Sequence, residues 1–215
     1  MKIRLRSATG VKPRKLSVEL AELRDRSAER TLTLREVIYL LGDRAYTLLV
    51  LLLALPFITP IPLPGLSTPF GLAIALIALR LSLGQRPWLS KNLQRKELPA
   101  GFIKKVFTVA EKVLRFFEKF LRPRLVFLTD TPLLVQLHAL LMLLAALALL
   151  LPLPIPFTNS FPAWAILLIA AGLLERDGVF ILAGYVVFAA GVLYFIFLGE
   201  ATATLLQELV HWLRR

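Results

Sequence analysis

Arg80, Arg86 and Arg176 each stand at the end of an apolar run, Asp177 follows the last of them, and Asn159 lies between Thr158 and Ser160 where two other runs meet. A guanidinium presents a fork of donors that fits phosphate, and amide or hydroxyl groups add neutral hydrogen bonds. This set suits recognition of an anionic headgroup better than bond-making chemistry. No phosphate-binding glycine-rich loop, paired carboxylates, Ser/His/Asp set or zinc-binding helix is recognisable, and Ser67 has no base near it in the chain. With no cysteine, and with His138 and His211 as the two histidines, thiol chemistry and a metal centre are not expected, nor is any cofactor. The chain reads as a non-enzyme.

Each of these residues also has a plainer reading. Arg80 precedes Gly84 by four residues and could snorkel to a membrane surface. Arg176, with Glu175 and Asp177, could form a charged turn that stops one helix and starts the next at Gly178. Asp43 and Arg44 could cap and orient a helix or form a gating ion pair. Asn159 could cap a loop, and His138 could be a hydrogen-bonded spectator or a proton relay.

The elements that must position these groups are set by proline. Pro60, Pro62 and Pro64 break one apolar stretch, and Pro152, Pro154 and Pro156 break another at the same spacing. Prolines at alternate positions cannot continue a helix, and they leave carbonyls without partners. Inside hydrocarbon that is tolerated where protein or a water-filled cavity satisfies the backbone. Matching interruptions in two halves of a chain point to a transporter-like binding site.

The hydrophobic share is 57% over 215 residues, above that of ordinary soluble domains. Lys and Arg outnumber acidic residues 26 to 14, and 22 of the 26 fall in residues 1–44 and 84–124. The positive-inside rule places both blocks on the cytoplasmic face, where they would attract anionic lipid, a reading preferred to nucleic-acid binding. Apolar segments 45–83 and 133–174 then become hairpins, either re-entrant or made of kinked spans, and Val179–Leu198 is a clear span. The expected fold is an all-α polytopic membrane protein: two Pro-interrupted hairpins in a repeat, an amphipathic cytoplasmic helix between them and a C-terminal transmembrane helix. Residues 1–32 read as a basic arm and surface helix. Residues 33–215 read as a single membrane domain, divided into a first hairpin half (33–90), a basic connector (91–128) and a second half with the C-terminal span (129–215). No secretory signal is expected, because the basic start is followed by more polar sequence.

In the connector, Gly101–Leu121 carries two apolar rows. One is Phe102, Val106, Val109, Val113, Phe116 and Phe120; the other is Ile103, Phe107, Ala110, Leu114, Phe117 and Leu121. Lys104, Lys105, Glu111, Lys112, Arg115, Glu118 and Lys119 stand opposite. This is the pattern of an interfacial helix, which could meet lipid or the protein's own helices.

Several motifs in order carry a family likeness: Leu41-Gly42-Asp43-Arg44, Leu55-Pro56 through Pro62-x-Pro64-Gly65-x-Ser67, Gly84-Gln85-Arg86-Pro87-Trp88-Leu89, Arg122-Pro123-Arg124, Leu151-Pro152 through Pro156-x-x-Asn159-x-x-Pro162, and Arg176-Asp177-Gly178. Together they resemble the exopolysaccharide synthesis ExoD family of bacterial inner-membrane proteins, from about Ser17 to about Gly191. The resemblance implies a multi-pass inner-membrane protein linked to exopolysaccharide production, with no assigned enzymatic step. A fainter similarity, in the hairpin pattern alone, is to the DedA group, which is associated with moving anionic lipids such as polyprenyl phosphate. The reading favoured is binding or translocation of an anionic lipid at the paired hairpins. The alternatives are a non-transporting membrane partner of polysaccharide assembly proteins and an ion or proton exchanger using His138 or Glu175. A homo-oligomer is allowed by the sequence.

Overall fold

Proline decides where the helices stop and start. A computed structural model describes residues 18, 21–22, 25, 44–59, 65–85, 100–151 and 155–213. Helix α1, Arg44–Ala54, tightens into a 3-10 turn at Leu55–Phe57 with Pro56 at its start. A proline ring would clash with the carbonyl four residues back, so the wider α-helix ends before it. Helices α2, Ser67–Ser82, and α6, Ser160–Glu175, each have proline at their third residue, Pro69 and Pro162. The first-turn N–H groups of a helix have no internal acceptor, so proline there forfeits nothing.

Helices α2 and α6 show the same succession of backbone events over 16 residues each. A left-handed residue precedes each, Gly65 at φ 79° and Phe157 at φ 68°, and another follows each, Gly84 at φ 66° and Arg176 at φ 58°. The next amide then folds back onto the last turn: Gln85 N–H donates to the Arg80 carbonyl, and Asp177 N–H to the Gly172 carbonyl, both at 2.8 Å. This is the six-to-one bond of a Schellman ending. Glycine adopts that conformation freely, whereas a left-handed Phe157 or Arg176 costs about 1–2 kcal/mol, which the surrounding contacts must offset.

The remaining helices are α3, Ala100–Phe117; α4, Phe127–Asp130; α5, Pro132–Leu149; and α7, Gly178–Leu213. The capping run Thr129 to Pro132 does start α5 with Thr131 at its N-cap, but the Thr131 hydroxyl bonds back to the Phe127 carbonyl rather than to the new helix. Helix α7 runs on through Gly199 and Glu200, past the end expected for the last span.

Helix α6 is the centre. It packs against α1, α5 and α7, while α2 packs mainly along α5. Eleven of its residues are buried, which is why it is apolar all round although it is short. The α6–α7 contact is close because Gly184 carries no side chain: a Cβ there would meet Ile169 at 2.6 Å. Two helices, Pro132–Leu149 and Gly178–Glu200, are long and apolar enough to cross a membrane by length and composition. Only 33% and 17% of these segments are buried, so neither behaves as the core helix of the bundle.

The bundle therefore has two ends. Helices α2 and α5 are antiparallel, with Gly71 beside Ala146 and Gly84 beside Gln136. Residues 58–59, 65–66, 150–151 and 155–159, which flank the proline runs, gather at one end. The helix ends at Gly84, Asp130, Glu175 and Gly178 gather at the other.

Candidate functional site

At the loop end, Pro60, Pro62, Pro64, Pro152 and Pro154 lie outside the described residues, and Pro156 is exposed with its carbonyl accepting from the Tyr194 hydroxyl at 2.8 Å. A helix running on from α1 would require the nitrogen of Pro62 to donate to the Ile58 carbonyl, and proline has no proton to give. The indole N–H of Trp164 donates to that carbonyl instead, at 3.0 Å, and the Ser160 hydroxyl donates to the neighbouring Thr59 carbonyl at 2.9 Å. The first two turns of α6 thus satisfy carbonyls at the end of the first proline-broken segment.

Thr158, Asn159, Ser160 and Ser67 are all buried here. The Thr158 hydroxyl donates to the Ile155 carbonyl at 2.7 Å. Asn159 occupies the N-cap position of α6, yet its side chain makes no capping bond, and its Oδ1 is buried with no hydrogen-bond partner among the described residues. An acceptor in that condition costs about 1–3 kcal/mol.

At the opposite end the carboxylate of Asp177 is fully buried and its oxygens are engaged. Oδ2 accepts from the Arg122 amide at 2.9 Å and from Arg124 Nη2 at 3.0 Å, and Oδ1 accepts from the Val179 amide at 3.0 Å, capping α7. The backbones lie side by side: Arg124 N–H donates to the Arg176 carbonyl at 3.3 Å, and Gly178 N–H to the Arg124 carbonyl at 2.7 Å. Gly178 must be glycine, since a Cβ would meet the Leu125 carbonyl at 2.8 Å. Arg176 pairs with Asp130.

Residues 16–197 match the family described as exopolysaccharide synthesis, ExoD. The chain belongs to the ExoD family. It is 36% identical to Protein ExoD of Rhizobium meliloti over 183 residues, covering 85% of this chain and 76% of that protein. It is also 31% identical to an uncharacterized protein of Synechocystis over 193 residues, covering 86% of this chain and 88% of the other. No solved structure matches the chain.

Two of the ExoD motifs noted in the sequence, Arg122-Pro123-Arg124 and Arg176-Asp177-Gly178, meet in this clamp. Arg124, which the sequence presented as part of a helix stop, is the side chain that pairs with Asp177 across 53 residues. No local spacing announces such a partner. Arg80, partly buried on α2, donates from Nη1 to Gln85 Oε1 at 2.8 Å, at the same end of the bundle as Arg176. Arg86 and Asp43 lie outside the described residues. Asn159 is at the far end, so the structure divides the sequence-derived set between a cationic end and a polar loop end.

His138 is buried on α5, with Nε2 2.9 Å from the Leu128 carbonyl and Nδ1 2.6 Å from the Tyr185 hydroxyl. A carbonyl only accepts, so Nε2 carries the proton and Nδ1 accepts from the tyrosine. The imidazole joins α4, α5 and α7. Among the described residues, no group of three or more His, Asp or Glu side chains is arranged to hold a metal ion.

Proposed function

We propose that this ExoD-family member is a multi-pass protein of the bacterial inner membrane, N-terminus cytoplasmic, that binds an anionic lipid and passes its headgroup between leaflets at the paired hairpins. The observation that carries this reading is the buried Oδ1 of Asn159 at the start of α6, which has no hydrogen-bond partner among the described residues. Depth supports it. Tyr194, which holds the second loop, stands six residues before Glu200 on α7, roughly 9 Å along the axis at 1.5 Å per residue. With Gly178–Glu200 taken as the span, Pro156 lies within the hydrocarbon, as backbone of a re-entrant hairpin would.

Charge supports it as well. The N-termini of α2 and α6 both face the loop end, and a helix N-terminus favours an anion. At the other end Arg80 and Arg176 offer guanidinium groups for a first encounter, with Gln85 and Asp130 as the partners a phosphate would displace, and Arg86 follows Gln85 in the chain. The shared Schellman endings of α2 and α6 fit an internal repeat whose halves contribute equivalent surfaces. No catalytic step is assigned.

The experiment is leaflet translocation of labelled phospholipid and of polyprenyl phosphate in proteoliposomes. Native protein should move at least one of them, and Arg80→Ala, Arg176→Ala and Asn159→Leu should slow the movement. Folded protein that neither binds nor moves either lipid would remove this reading and leave the role of a non-transporting partner of the polysaccharide machinery.

A further inference from the structure

Helix α3 carries more apolar surface than the bundle covers. One of its two rows, Phe107, Ala110, Leu114 and Phe117, followed by Leu121, is buried in the common core. The other row is not. Val109, Phe116 and Phe120 are 51%, 58% and 56% exposed, and the rings of Phe116 and Phe120 lie 5.4 Å apart, tilted against each other. At 3.6 residues per turn this second row falls on a different side of the helix from the first. Lys112, Arg115 and Lys119, all exposed, border it on the polar side.

The placement of this face identifies what covers it. The Phe117 ring packs edge-on against Phe180, 6.5 Å away, in the first turn of α7. Helix α3 therefore ends at the level where the longer candidate span begins. Leu125 and Phe127, also exposed, extend the apolar surface towards the start of α5, the other candidate span. An apolar stripe edged with cations at the mouth of two spans is complementary to acyl chains beneath a layer of phosphates.

We infer that α3 lies in the headgroup layer of an anionic leaflet, with Val109, Phe116 and Phe120 among the acyl chains and Lys112, Arg115 and Lys119 against the phosphates. This rests on the membrane reading above, though not on lipid transport. It makes α3 a fixed float that sets the depth of the bundle, since its other row is locked into the core.

The chain has no cysteine, so single-cysteine variants of the full protein can each carry one fluorophore. Phe116→Cys, Phe120→Cys, Lys119→Cys and Val186→Cys would be labelled and reconstituted into phosphatidylcholine vesicles with and without phosphatidylglycerol. Each would be quenched by lipids brominated high on the acyl chain and by aqueous iodide. Val186, 69% exposed and eight residues into the candidate span of α7, reports whether α7 is in the bilayer at all. The expected result is quenching by bromolipid at 116, 120 and 186 but by iodide at 119. At 116 and 120 it should be about twofold or more stronger with phosphatidylglycerol present, and that increment should vanish when Lys112, Arg115 and Lys119 become Gln.

If 186 is quenched by bromolipid while 116 and 120 are as open to iodide as 119, the inference fails and the membrane reading stands. If 116 and 120 are shielded from both quenchers, a protein surface covers the row, either a second copy or an assembly partner, and the inference again fails. Absence of bromolipid quenching at 186 would overturn the membrane reading and this inference together.

Discussion

The hydroxyl of Ser160 donates to the carbonyl of Thr59 at 2.9 Å, joining residues 101 positions apart at the point where the two proline-broken segments meet. Trp164 makes the adjoining bond to Ile58 from the next turn of the same helix. The end of the first proline-broken segment is thus held by donors of the second. Ser160→Ala and Trp164→Phe each keep most of the packing and strip the donor from a backbone carbonyl, Thr59 in the first case and in the second Ile58, whose helical partner Pro62 has no proton to give. Each should lower stability by about 1–3 kcal/mol, read as an earlier midpoint in thermal unfolding of the detergent-solubilised protein. Unchanged midpoints in both would mean that the loops are not held together through these bonds.

The clamp around Asp177 predicts an ordering. Asp177→Ala leaves two backbone amides and the half-exposed Arg124 guanidinium without their acceptor, and a buried donor left unsatisfied costs about 1–3 kcal/mol. Asp177→Asn restores the shape but turns an NH2 group towards one set of donors, so it should fall between Ala and native. Arg124→Ala should be milder, because the Arg124 side chain is 47% exposed and the carboxylate keeps two amide donors. Urea or heat midpoints would test the order Ala, Asn, then Arg124→Ala. A neutral Asp177→Ala would show that the clamp does not hold α7 in place.

Two glycines provide an internal comparison. At Gly178 a methyl group would meet Leu125 Cβ at 2.7 Å and its carbonyl at 2.8 Å, whereas at Gly199 it would meet nothing within 4 Å. Gly178→Ala should destabilise by about 1–3 kcal/mol through overpacking against backbone. Gly199→Ala should be neutral or stabilising by up to about 1 kcal/mol through helix propensity. Opposite signs in the same unfolding assay are the expected result.

Much of the helical plan was legible because proline, glycine and charge write helix ends locally. The charged turn at 175–178 divides α6 from α7 as the Arg176-Asp177-Gly178 pattern indicated, and the two rows of the amphipathic helix were both present in the spacing. What the spacing could not supply was the use of each row, one against the bundle and one exposed, because that depends on where the hairpins lie. The pairing of Arg124 with Asp177 was hidden for the same reason: a salt bridge between distant turns leaves no periodicity. Asn159 looked like a loop cap by residue type, and the cap position is indeed where it lies. Only the geometry reveals that its side chain caps nothing.

That idle side chain separates a structural from a functional role by the sign of a stability change. A polar group that holds a loop destabilises the protein when removed, while a buried acceptor kept without a partner is itself the burden. Asn159→Leu is close in shape and takes away the unsatisfied oxygen, so it should raise the unfolding free energy by about 1–3 kcal/mol. The same substitution should slow lipid headgroup passage, the usual exchange between stability and a poised site. Both quantities can be read on one preparation, unfolding midpoint in detergent and translocation in proteoliposomes. A destabilised Asn159→Leu protein would make the asparagine a structural element of the α6 start. A stabilised protein with unaltered lipid movement would leave the oxygen without a part in transport, and the search for the headgroup site would move to Arg80 and Arg176.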